Sequence, residues 1–175
     1  MIAKFYIDLQ SGRCPKVASD MLRKLHGLLV KEPELFALLI NEQAPFSGFR
    51  LFAEEIASLN KVIDFFNANK WVQNNYTLSY INQVPDDFEG QGVILYRIKM
   101  SGKKNTENNP ELRLAQIERT KNNPYFRMTS KRNGNSFSIK VRHEYIYYSQ
   151  EDALSASPDG YGLSRQNNKI ALPLL

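Results

Sequence analysis

Residues 2–31 read IAKFYIDLQSGRCPKVASDMLRKLHGLLVK, and the change of period inside this stretch decides the fold. From Ile2 to Leu9 apolar and polar residues alternate, the period of a strand with one covered face. After Pro15 the period lengthens: Ala18, Leu22, Leu25 and Leu29 fall on one side of a helix. Pro15 suits a first helical position, where its missing N–H costs nothing. The helix is expected to run to about Lys31, before Pro33. A strand followed at once by an amphipathic helix predicts that the helix lies back across a sheet.

Working outward, Glu34–Ile40 and Gly48–Phe52 read as two short strands. Ser58 is the expected N-cap of a second helix whose inward face is Leu59, Val62, Ile63 and Phe66. Tyr76–Ile81 reads as the next strand. The order β-α-β-β-α-β predicts an α+β protein with an N-terminal ferredoxin-like domain over residues 1–92. Asp86–Gly92 is a polar break between halves. The second half, residues 93–175, opens with a strand at Val93–Met100. Asn109-Pro110-Glu111 then starts a basic helix that runs to about Lys121: Asn caps, Pro takes the first turn, and Glu meets the positive dipole end. That helix carries Arg113, Gln116 and Thr120 on one polar side and Arg119 at its edge, with Leu114 and Ile117 opposite. Tyr125–Ser130 and Phe137–Tyr147 form a β-hairpin around Asn133-Gly134. Ser149–Gly160 reads as a loop. No internal repeat is visible in the sequence.

Composition narrows the function classes. The 175 residues are 42% hydrophobic, enough for a real core, and the longest apolar run is far too short to cross a bilayer. The start of the chain lacks the features of a secretory leader, so a cytoplasmic location is expected. The lone Cys14 and two histidines offer no zinc spacing, and neither metal nor cofactor is expected. HExxH, Walker-type and GxSxG motifs are missing, which leaves metalloprotease, NTPase and α/β-hydrolase readings without support. The formal charge of +5 is unevenly spread. Arg97–Arg142 holds twelve Lys/Arg and three Asp/Glu, a net +9 against −4 for the remainder. One basic segment on a neutral-to-acidic body suits a phosphate-backbone binder, although a solvated surface has the same composition.

Of the histidines, His143 falls in phase with Phe137, Ile139 and Val141 and reads as packed or hydrogen-bonded. His26 sits at the edge of the first helix's apolar stripe, a position open both to a structural imidazole and to an acid–base group. Lys131 and Arg132 at the hairpin tip suit either phosphate contact or an ordinary soluble turn.

Four short motifs occur in order along nearly the whole chain: Lys24-Leu25-His26, Asn109-Pro110-Glu111, the spaced set Phe137, Ile139, Val141, Arg142 and His143, and Gly160-Tyr161-Gly162-Leu163-Ser164-Arg165. Together they resemble the type I-F CRISPR repeat-processing endoribonuclease family. The resemblance implies a ferredoxin-like domain, a C-terminal half with an arginine-bearing helix, and a repeat RNA hairpin cut at the 3′ base of its stem. It also implies that the enzyme keeps its product as one subunit of a crRNA-guided surveillance complex.

In the family's pattern the catalytic histidine falls on His26, the active-site serine on Ser130 and the tyrosine of the last motif on Tyr161. His26 would be the base, Ser130 would fix the ribose, and Tyr161 would position the imidazole. Lys103 and Asn105 stand where the family reads bases near the foot of the stem. Gln116 and Thr120 stand at family arginine positions, so Arg113 and Arg119 carry over only loosely as stem-binding residues. A second family serine is replaced by Arg132. A non-catalytic RNA-binding subunit that caps a crRNA–protein complex is the alternative that this thinned helix suggests.

Overall fold

The computed structural model describes residues 3–12, 14–31, 36–98, 109–129, 134–150 and 157–175. The first sheet has the strand order β2-β3-β1-β4, from β1 (Phe5–Gln10), β2 (Ala37–Leu39), β3 (Gly48–Ala53) and β4 (Thr77–Leu78). All its pairings are antiparallel, and a further short strand, β5 (Asn82–Gln83), also pairs with β1. Helices α1 (Pro15–Leu29) and α2 (Ile56–Asn67) connect the strands in the order of a ferredoxin-like domain. The chain is therefore α+β, with that domain at its N-terminal end.

Helix α1 forms as its sequence dictates. Pro15 occupies the first turn, and Ala18, Ser19, Met21, Leu22, Leu25 and Leu29 are buried along one side. Helix α2 departs from expectation at its start. Its N-cap is Glu55 in an extended conformation, while Ser58 is buried inside the first turn, its N–H donating to the Glu55 carbonyl. β3 ends at Ala53, so the two residues Glu54 and Glu55 complete the turn and no hydroxyl is needed there.

The strand expected at Tyr76–Ile81 is two two-residue strands preceded by a short helix, α3 (Lys70–Asn75), capped by the Asn69 side chain. The break has a local cause. Ser79 Oγ, rather than a backbone carbonyl, accepts from Asp8 N–H at 2.9 Å, which interrupts the ladder between β4 and β5.

The second sheet has the order β7-β8-β6-β9, from β6 (Glu89–Ile98), β7 (Tyr125–Thr129), β8 (Ser136–Ser149) and β9 (Ala171–Pro173). Strand β6 already begins at Glu89, inside the stretch expected to be a polar break, because Glu89–Gly92 pair with Ile146–Ser149 of β8. Helix α4 (Pro110–Thr120) joins β6 to β7. The order β7-β8-β6-β9 repeats β2-β3-β1-β4 of the first sheet, so the backbone carries a repeat that the side chains do not reveal. The last described pair of the hairpin is Thr129 with Ser136. Gly134 keeps the positive φ, +69°, that a turn glycine favours.

The two sheets share a core. Phe126 of β7 lies within aromatic contact of Phe46 and Phe49. The Arg127 N–H donates to Ser19 Oγ of α1 at 3.1 Å, which fixes β7 against the first helix. Among the described residues no helix is long and apolar enough to cross a membrane.

Candidate active site

The last turn of α1 presents His26, half-buried, to the segment 159–164. Its Nδ1 lies 2.6 Å from the Gly160 carbonyl oxygen. A carbonyl can only accept, so Nδ1 carries the proton, and in the uncharged ring the lone pair is on Nε2. No described residue occupies that lone pair. The Tyr161 ring stacks on the imidazole, with centroids 4.0 Å apart and planes 10° from parallel. Residues 135 apart in the chain thus meet face to face.

The 159–164 segment is built to hold that stack. Asp159 Oδ1 accepts from the N–H groups of Tyr161 at 2.8 Å and Leu163 at 3.1 Å. Gly162 N–H closes the turn on the Asp159 carbonyl at 2.9 Å, and its own carbonyl accepts from Leu38 N–H of β2 at 2.7 Å. Gly162 has φ +73°, and a Cβ there would stand 2.9 Å from Leu38 Cβ, so glycine is required twice over. At Gly160 a Cβ would meet His26 Cε1 at 3.3 Å; the bare backbone is what lets the imidazole approach its carbonyl. Ser164 N–H donates to Leu95 O at 2.8 Å, which ties the segment to β6.

From β6, Arg97 places its guanidinium carbon 4.9 Å from the centre of the Tyr161 ring. Burial is the main influence on the Tyr161 hydroxyl and raises its pKa; Arg97 opposes the shift and Asp159 adds to it. Tyr161 therefore stays a neutral phenol through the neutral pH range. The arrangement offers an imidazole whose Nδ1–H is fixed, an aromatic wall behind it and a cation beside that wall.

No protein-family model matches the chain, and no curated protein matches it. Among solved structures the chain is similar to a crystal structure described as a candidate chlorite dismutase, at 10% identity and a TM-score of 0.30, over 81% of this chain and 79% of that one.

Ser130, Lys131, Arg132, Lys103 and Asn105 lie outside the described residues. Thr129, the residue before Ser130, ends β7, the strand that packs on α1. Arg113 and Arg119 are exposed on α4, and Gln116 is half-buried there. Thr120 does not share their polar surface, as its place in the helix suggested. It is buried, donating to the Gln116 carbonyl at 2.7 Å and accepting from Lys140 Nζ at 2.7 Å.

His143 is packed: its side chain is 2% exposed and its Nε2–H donates to the Ile40 carbonyl at 2.6 Å. It lines a polar cleft of about 800 Å³ that includes neither His26 nor Tyr161. Among the described residues no three of His, Cys, Asp or Glu converge on one point. Sequence reasoning missed Asp159, Gly160 and Arg97 as site residues. An Asp two residues before a Tyr-Gly pair is an Asx-turn signal that points to Asp159. Arg97 had no local signal, because only the pairing of distant segments brings it to Tyr161.

Proposed function

We propose that this chain is a metal-independent endoribonuclease that cuts CRISPR repeat RNA at the 3′ base of its stem-loop. On this reading it then keeps the crRNA hairpin as a subunit of the type I-F surveillance complex. The observation that carries the reading is the Nδ1–H bond from His26 to the Gly160 carbonyl, which leaves Nε2 as a base of defined direction.

The chemistry follows from that tautomer. Nε2 takes the proton of a ribose 2′-hydroxyl, and the 2′-oxygen attacks the adjacent phosphorus. The bond from phosphorus to the 5′-oxygen breaks, leaving a 2′,3′-cyclic phosphate on one fragment. The departing 5′-oxygen takes a proton and becomes a 5′-hydroxyl. Stacking on Tyr161 restricts the imidazole to one plane, so little orientational freedom is lost when the nucleotide arrives. Ser130 would hold the ribose in line. Arg113, Arg119, Lys131 and Arg132, with Lys103, Asn105 and Gln116, would hold the stem.

The test is cleavage of repeat hairpin RNA in EDTA by the wild type and by His26→Ala. The wild type is expected to cut, and the variant to be slower by about 10²–10⁴-fold. Equal cutting by both, or none by the wild type, refutes the reading. A second reading, a non-catalytic subunit that caps a crRNA–protein complex, draws on the sparse charge of α4, whose cations are Arg113 and Arg119. Tight hairpin binding without any cut would favour it.

A further inference from the structure

We propose that Arg97 is the residue that holds the scissile phosphate, an assignment that rests on the nuclease reading above. Arg97 is half-buried and has no carboxylate within ion-pair distance among the described residues. The other half-buried arginines are neutralised: Arg23 by Asp20 at 2.8 Å and Arg50 by Asp8 at 2.7 Å. A cation removed from bulk water without a counter-charge is costly unless something anionic completes it. Asp159, whose Oδ1 accepts from the backbone of Tyr161 and Leu163, does not come within ion-pair distance of it. The Tyr161 ring holds the guanidinium in place without cancelling its charge.

The place of Arg97 fits the reaction. Its guanidinium and the His26 ring are no farther apart than the 4.9 and 4.0 Å legs through Tyr161 laid end to end. Both groups stand at the same ring, so a nucleotide laid along the edge of Tyr161 would have the imidazole and the guanidinium within reach. His26 would meet the 2′-hydroxyl while Arg97 meets the non-bridging oxygens of the phosphate it attacks. Negative charge grows on those oxygens as the 2′-oxygen adds, and a fixed guanidinium stabilises it. After the cut, the same guanidinium would grip the cyclic phosphate at the end of the retained hairpin.

Two measurements on wild type, Arg97→Ala and Arg97→Lys test this. The first compares affinity for a repeat hairpin ending in a 2′,3′-cyclic phosphate with affinity for the same hairpin ending in a 3′-hydroxyl. The wild type is expected to prefer the phosphate end by about tenfold. Arg97→Ala should lose that preference while binding the hydroxyl-ended hairpin as the wild type does, which also shows that it folds; Arg97→Lys should keep part of it.

The second is single-turnover cleavage, in which Arg97→Ala should slow the cut by about 10²–10³-fold. A phosphate preference that survives in Arg97→Ala, or is missing from the wild type, overturns the assignment. So does slowed cleavage with the preference intact, because Arg97 would then act only by bracing the Tyr161 ring. If the wild type fails to cut at all, the nuclease reading falls and the scissile-phosphate role with it, and the end-phosphate preference then decides only whether Arg97 binds a terminal phosphate.

Discussion

Helices α1 and α4 occupy equivalent places in two sheets of the same strand order, yet the molecule treats them in opposite ways. Helix α1 buries six residues and lies between its own sheet and β7 of the other. Helix α4 buries Thr120 alone and leaves Leu112, Leu114 and Ile117 exposed. Topology therefore does not decide what a helix is for. A helix locked into the core can hold an imidazole to within a hydrogen bond, as chemistry requires. A helix held mainly at one end can instead offer two arginines to a broad polyanion.

The largest expected effect separates the two helices by stability. Leu25→Ala removes a fully buried side chain from α1 and should cost about 2–5 kcal/mol in denaturant unfolding. Leu114→Ala on α4, where the side chain is 66% exposed, should stay within about 0.5 kcal/mol. Equal losses would mean that α4 is a core helix after all.

Next in size is the clasp that joins the last segment to β2. Gly162→Ala combines an unfavourable φ with a close approach to Leu38, and should destabilise the fold by about 1–3 kcal/mol. It should also slow cleavage by more than the stability loss explains, since the same turn carries Tyr161. A variant with wild-type stability and rate would show that the clasp does not hold the stack.

These contrasts mark where sequence was informative. The period change at Pro15 announced β1 and α1, because both elements bury a face whose spacing is local. Ser58 misled: a hydroxyl before an apolar run looks like a cap, but β3 ends close enough for the helix to start three residues earlier, after Glu55, with no side-chain cap. The stretch 70–83 failed because α3, β4 and β5 are too short to show a period, and Ser79 substitutes for backbone in the ladder. The second sheet's repeat of the first was hidden, since strand order constrains which faces are apolar and not which residues fill them.

At the candidate site, the edge position of His26 was legible but its tautomer was not, because the carbonyl that sets it lies 134 residues away. Tyr161 entered only through a resemblance. Arg97 is invisible without β6 paired beside the 159–164 segment.

The smallest expected effect concerns binding alone. Replacing both Arg113 and Arg119 with Ala should weaken hairpin binding and reduce its salt slope by about one unit per lost phosphate contact. Single-turnover cleavage at saturating enzyme should be nearly unchanged, the reverse of His26→Ala. An unaltered slope would remove α4 from the RNA interface.

The most direct test of the central claim is the mass of the product end after repeat hairpin RNA is cut in EDTA. A base on the 2′-hydroxyl predicts a 2′,3′-cyclic phosphate on one fragment and a 5′-hydroxyl on the other, both lost in His26→Ala. Fragments ending in a 3′-hydroxyl and a 5′-phosphate would contradict it, since water and not the ribose would then have attacked.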